Sequence, residues 1–219
     1  GSSVPNLYNV GGDLAYFAES IRGGQREALK SYAHACVDAV QSTMAGFDCG
    51  AVTIAMIEGT AMGGGYEAAL AHDFVLAQKD TKMGFPEIAF NLFPGMGAYS
   101  LVARKANRAV AEELISSGEA HSGEWHHQAG LVDQVFDQGM AFNTTRTFID
   151  ALRPKLNGIK AMLRTRRRVF PLDRSELIDI TNDWAESAFT LEEKDLAYME
   201  RLVMLQNRRI GKLPELVAA

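Results

Sequence analysis

An α/β fold is what this sequence predicts, and three observations carry the prediction. Ala51 to Ile57 (AVTIAMI) is a short, nearly continuous apolar run bounded by glycine on both sides, as expected of a central strand buried on both faces. A second apolar run, Phe74 to Ala77, follows a helix opened by Gly63-Gly64-Gly65, so strand and helix patterns alternate. Beyond Asn143 the strand signal fades and helical periodicity takes over. The chain therefore divides into a mixed core, residues 1–142, and a helical region, residues 143–219, expected to pack on the core or on a neighbouring subunit.

The elements follow in order. Leu7, Tyr8 and Val10 suggest a short extended segment running into a turn at Gly11-Gly12, and Asp13 stands where a helix can begin. From Gln25 to Met44 the positions Leu29, Tyr32, Cys36, Ala39, Val40 and Thr43 recur at three- and four-residue spacing, which predicts an amphipathic helix left through Gly46 and Gly50. After the Ala51 to Ile57 strand come a helix over about 66–72, the Phe74 run and a loop carrying Pro86-Glu87. Arg108 to Ser117 reads as a helix stopped by Gly118, Ser122 caps a short helix ending at Gly130, and Leu131 to Phe136 is strand-like. In the last third, Asp173-x-x-Glu176 and Thr190-x-x-Glu193 read as capping boxes, with Pro154, Gly158 and Pro171 as breaks between helices.

Composition narrows the function. With 219 residues, 47% hydrophobic and 22% charged, the chain can bury a substantial core, and a net charge of -5 favours small-molecule chemistry over general nucleic-acid binding. Cys36 and Cys49 form no CxxC pair, which leaves the cytoplasm as the expected compartment, and no apolar run reaches the roughly 20 residues that span a bilayer. His72, His121, His126 and His127 show no HExxH pattern, so no metal is expected, and His126-His127 reads as a surface pair. Lys160, Arg164, Arg166, Arg167 and Arg168 read first as a solvated helix face and second as a dock for a phosphate or an acidic carrier domain.

Two glutamates stand out. Glu67 falls in the first turn of an otherwise apolar helix, where the positive end of the dipole favours a carboxylate; its plain reading is a helix cap. Glu87 follows Pro86 amid Met83, Phe85, Ile88, Leu92 and Phe93, where a carboxylate is paired, protonated or functional unless it points to water. If the two converge across a cleft they can serve as acid and base.

These residues carry a resemblance. Glu58-Gly59, Gly63-Gly64-Gly65-Tyr66-Glu67, Gly84-Phe85-Pro86-Glu87 and Pro94-Gly95-Met96-Gly97 together resemble the signature of the crotonase (enoyl-CoA hydratase/isomerase) superfamily, and Asn9-Val10-Gly11-Gly12-Asp13 resembles its first oxyanion turn. Within that superfamily NVGGDL, YAHACVDAV, LFPGMGAYS and EKDLAYMERLVMLQNRR resemble the diffusible signal factor synthases. The resemblance implies a spiral of ββα units with C-terminal helices that oligomerise, as a trimer or dimer of trimers, and close the pocket. It also implies further N-terminal strands ahead of the Gly11-Gly12 turn, so the full-length protein is expected to contain more than this chain.

The same resemblance implies an acyl-thioester substrate, with no cofactor beyond the coenzyme A or acyl carrier protein that the substrate brings. Gly12 and Gly64 would be the oxyanion donors, Glu67 and Glu87 the proton carriers, and Met83, Phe85, Ile88, Leu92, Phe93 and Met96 part of the acyl pocket. The implied reaction is dehydration of a 3-hydroxyacyl thioester to a cis-2-enoyl thioester, followed by hydrolysis that frees a fatty acid signal. An ordinary enoyl-CoA hydratase or isomerase and a non-catalytic module holding a signal-sensor protein are the rival readings.

Overall fold

The computed structural model describes residues 1–210, and side-chain exposure through residue 207. The chain opens with β1 (Leu7–Asn9), then α1 (Leu14–Arg22) and α2 (Arg26–Met44). The Asp13 carboxylate accepts from the N–H groups of Ala15 and Tyr16, so the predicted helix start is capped in the usual way. The buried stripe of α2 is Leu29, Ala33, Val37 and Val40, whereas Ala39 is exposed. A wide turn over Gly46–Gly50 leads to β2 (Ile54–Ile57), β3 (Thr60–Met62), α3 (Gly64–Leu70), β4 (Phe74–Gln78) and β5 (Lys82–Gly84).

After a 3-10 turn over Pro86–Phe90 come α4 (Ala98–Lys105), α5 (Arg108–Ser117), β6 (His121–Ser122), α6 (Gly123–Gln128) and β7 (Gln134–Phe136). The rest is helical: α7 (Ala141–Leu152), a 3-10 turn over Arg153–Lys155, α8 (Leu156–Val169), α9 (Arg174–Ala188) and α10 (Glu193–Ile210).

Two small sheets result, one in the order β1-β3-β5-β6 and one in the order β2-β4-β7. All neighbours run parallel except β5 and β6. From β1 to β5 consecutive strands alternate between the sheets, and the crossing from β2 to β3 turns at Glu58-Gly59. A Cβ on Gly59 would collide with the backbone of Asn6 and Leu7, so the crossing needs glycine. The α/β spiral expected from the sequence is present, with one correction. The Ala51 run yields β2 at the edge of its sheet, with alternating rather than complete burial, because the middle place belongs to β4, four of whose five residues are buried.

Two apolar clusters organise the packing. One lies between the sheets and α3 to α5, with Ile57, Tyr66, Leu70, Met83, Phe85 and Leu114 fully buried. The other gathers Phe17, Leu29, Ala33, Phe90, Leu92, Trp184 and Met199 from α1, α2, the Pro86–Phe90 turn, α9 and α10. Each large apolar side chain buried this way contributes about 1.5–3 kcal/mol. Residues from opposite ends of the chain therefore share one core.

Several local expectations change. The short strands β3, β5 and β6 carry too little pattern to be read from sequence. Gly158 lies inside α8 instead of breaking it. Neither capping box closes: Asp173 makes no side-chain cap, Glu176 instead meets Arg104 at 2.7 Å, and the Thr190 hydroxyl donates back to the Ser187 carbonyl. His126 is fully buried, its Nδ1 2.9 Å from the Tyr66 hydroxyl and its Nε2 3.0 Å from the Met83 carbonyl. A carbonyl only accepts, so Nε2 carries the proton and Nδ1 accepts from tyrosine. Burial pushes this imidazole down to about 4, which keeps it neutral. No described helix is long and apolar enough to cross a membrane.

Candidate functional site

Glu67 sits in the first turn of α3 and is 1% exposed. Its Oε1 accepts two backbone N–H bonds, from Met96 and Ala98, each 2.8 Å long. Both donors belong to the turn that runs from Pro94 into α4, which reaches Glu67 because Gly97 takes a left-handed conformation at φ 105°. Burial is the larger influence and pushes the Glu67 carboxyl up to about 7, with the two N–H bonds pulling the other way.

Glu87 is placed differently. It lies in the 3-10 turn after Pro86, and its Oε2 is buried with no hydrogen-bond partner among the described residues. Its other oxygen lies against Gly63, whose φ of 54° and ψ of -132° suit glycine alone and where a Cβ would collide with Glu87. Burial first, and the neighbouring Glu67 charge second, push the Glu87 carboxyl up to about 8. Two carboxyl groups that feel each other's charge share protons as a pair.

Both glutamates line one cavity of about 220 Å³. Gly12, Gly63 and Gly64 line it as well. Gly11, at φ 90°, packs so tightly against Gly64 and Gly65 that a Cβ there would stand 3.0 Å from the Gly64 nitrogen, which fixes the two glycine turns against each other. The Asn9 side chain accepts from Gly11 N–H at 2.9 Å and so orders the first turn. Gly64 is the first residue of α3, where helix geometry provides no acceptor for its N–H. Such a site can hold a carbonyl oxygen with backbone donors while carboxyl groups move protons beside it.

Apart from Thr60 and Gln206 the remaining wall is apolar: Leu14 and Phe17 from α1, Tyr32, Ala33 and Cys36 from α2, Phe90 and Leu92 beside the 3-10 turn, Trp184 from α9, and Leu202 and Leu205 from α10. Of the six residues expected in an acyl pocket, Leu92 and Met96 line this cavity. Met83 and Phe85 do not; Met83 in β5 and Phe85 just after it are fully buried in the first core cluster, where the Phe85 ring lies 5.2 Å from that of Tyr66. Ile88 is 43% exposed and covers Gly118, and Phe93 packs into the second core cluster.

The residues of α2, α9 and α10 were hidden in the sequence because lining at helical spacing has the same pattern as core. Tyr32 and Cys36, two positions of the amphipathic pattern of α2, line the cavity.

The basic run at Lys160 to Arg168 is not a uniformly free face. Arg166 and Arg167 both fold onto the buried Asp73 carboxylate, at 3.2 and 2.9 Å, and tie α8 to the start of β4. Lys160 is half-buried, while Arg164 and Arg168 are exposed. Among the described residues no group of His, Cys, Asp or Glu side chains could hold a metal ion.

Comparison with known proteins points to one family. The profile of the enoyl-CoA hydratase/isomerase family matches residues 2–193. The chain is 30% identical over 176 residues to the probable enoyl-CoA hydratase echA17 of Mycobacterium avium, covering 78% of this chain and 64% of that protein. It is 37% identical over 83 residues to 2,3-dehydroadipyl-CoA hydratase of Escherichia coli, covering 38% of this chain and 32% of that one. The chain thus spans less than two thirds of the length of these relatives.

Among solved structures, DspI of Pseudomonas aeruginosa is 27% identical with a TM-score of 0.59, covering 94% of this chain and 75% of that one. An enoyl-CoA hydratase of Geobacillus kaustophilus HTA426, 23% identical with a TM-score of 0.66 over 91% of this chain and 75% of that one, shares the fold. The profile match runs through every element that builds the cavity from β1 to α9, and on that ground the chain belongs to the enoyl-CoA hydratase/isomerase family.

Proposed function

We propose that this cavity adds water to, or removes it from, the C2–C3 bond of an acyl thioester. The observation that carries the reading is the pair of glutamates, one buried and one half-buried, with unlike surroundings on one apolar cavity. The two N–H bonds to Glu67 favour its carboxylate, while Glu87 has no donor on Oε2 among the described residues and favours the protonated acid.

In the hydration direction the Glu67 carboxylate takes a proton from water as its oxygen bonds to C3, and Glu87 gives its proton to C2. The electron pair of the double bond passes through the thioester carbonyl, whose oxygen is held by the N–H groups of Gly12 and Gly64. One proton then moves from Glu67 to Glu87 to restore the resting state. Run backwards, Glu87 removes the C2 proton and Glu67 protonates the departing 3-hydroxyl. Removing one oxyanion donor of this kind costs about 2.7–4 kcal/mol in the transition state.

The names of the relatives favour plain hydration. Release of a free cis-2-enoic acid, which the resemblance to signal synthases implies, needs a second water to attack the thioester carbonyl beside the same pair. Incubating the purified protein with 2-enoyl-CoA and with 3-hydroxydodecanoyl thioesters of coenzyme A and acyl carrier protein, followed by mass spectrometry, separates the readings. Interconversion of the carrier-bound species supports hydration, free cis-2-enoic acid supports the signal synthase, and absence of both overturns the proposal.

A further inference from the structure

Glu67 is held by backbone groups that cannot be removed by mutation, so what holds those groups decides its position. The carbonyl of Gly95, one residue before the Met96 donor, accepts a 2.6 Å hydrogen bond from the Thr181 hydroxyl. Thr181 is 1% exposed and lies on α9, 86 residues away in sequence. Leu177 and Trp184 flank it at helical spacing on the same face. A Cβ on Gly97 would collide with Leu177, and one on Gly95 with the Trp184 indole, so both glycines let the turn lie flush on α9.

The helix is itself anchored. Glu176 accepts from Ser100 at 2.6 Å and from Arg104 at 2.7 Å, both on α4, and Asn182 meets His34 of α2 at 2.9 Å. The Pro94–Gly97 turn is therefore clamped from a distant helix while its own N–H groups clamp Glu67.

We propose that Thr181 is a positioning residue for Glu67, acting through the Gly95 carbonyl and the turn that presents the Met96 and Ala98 N–H groups. The proposal rests on the hydration chemistry assigned to Glu67 above. A hydroxyl serves here because a buried carbonyl needs a donor. The N–H bonds favour the Glu67 carboxylate, so loosening the turn raises the pH at which Glu67 ionises. Glu87 across the cavity and the Cys36 thiol on α2 are the titratable groups that feel its charge.

The test compares Thr181→Val, Thr181→Ala and Thr181→Ser with the unaltered protein. It follows the Glu67 carboxyl by carbon NMR titration, assigned with Glu67→Gln, alongside kcat, KM and thermal melting. The expected result for Val and Ala is a higher Glu67 titration midpoint and a kcat reduced about tenfold with KM within about twofold, the scale of one hydrogen bond. Ser is expected to restore both readings.

An unmoved midpoint and kcat in a folded Val or Ala variant overturn the proposal, as does a loss that Ser fails to rescue. If Val and Ala both fail to fold while Ser folds, the hydroxyl serves the fold and the proposal is overturned. If the unaltered protein turns over no enoyl thioester, the functional reading fails, while the titration still decides whether Thr181 positions Glu67.

Discussion

The cavity has two unlike walls. One is built from residues close in sequence, Gly63 to Glu87 with the Gly11-Gly12 turn laid against it, and it carries the polar groups. The other is assembled from α1, α2, α9 and α10, whose members lie up to the far end of the described chain, and apart from Gln206 near its end it is apolar. The first wall concentrates chemistry in a short stretch because backbone donors and a carboxylate must meet within hydrogen-bond distance. The second needs only to exclude water and fit a hydrocarbon, so many residues can share the work. Damage to the first should appear in kcat at every chain length, and damage to the second in the dependence on chain length.

The largest expected effect comes from the carboxyls. Glu67→Gln and Glu87→Gln should each lower kcat for enoyl-CoA hydration by about 10²–10⁴-fold, measured as loss of the conjugated enoyl absorbance. The double variant should fall little further than either single one, because the two act as a unit. Additive losses would break the idea of a shared proton.

The pH profile sharpens the contrast within the polar wall. The proposed mechanism needs one proton on the pair, so the rate should rise as Glu67 ionises near 7 and fall as Glu87 ionises near 8, giving a maximum between them. Profiles of kcat/KM for the free enzyme test this, and a plateau from pH 5 to 10 would contradict it.

Stability should follow the same groups with a definite sign. Both carboxyls bind protons more tightly in the folded state than at their ordinary value of 4.5, so their contribution is intact below that value and is lost as pH rises through about 7 to 8. Glu87→Gln should therefore be more stable to unfolding than the unaltered protein at pH 9, by an amount on the order of a few kcal/mol, with the difference vanishing near pH 4. Urea midpoints at the two pH values provide the measurement.

Gly63→Ala should destabilise by about 1–3 kcal/mol, because alanine at that backbone conformation is strained and its methyl would push Glu87 aside. The smallest effect belongs to the apolar wall. Leu202→Ala should raise KM for long-chain thioesters less than about tenfold, in line with roughly 0.8 kcal/mol per buried methylene, and leave a four-carbon substrate unchanged.

The sequence by itself determined the polar wall and the element types around it. Glycine at 11, 12, 63 and 64 and glutamate at 67 and 87 fit turns and caps when taken singly, and it was their joint spacing, through the resemblance it carries, that pointed to one wall. The Asp13 cap, the Gly118 stop and the Ser122 cap were legible because their chemical reasons act locally. Only the tertiary structure decided the rest.

It moved β2 to an edge, put Met83 and Phe85 in the core, buried His126, and spent Arg166 and Arg167 on Asp73. It also chose which apolar residues of α2, α9 and α10 face the cavity, and which hydroxyl, that of Thr181, holds the turn behind Glu67. An apolar residue at helical spacing looks the same whether it meets core or cavity, because the hydrophobic effect is non-directional. A hydrogen bond across 86 residues leaves no periodic trace in the sequence, and it becomes visible only when the chain has brought its two ends together.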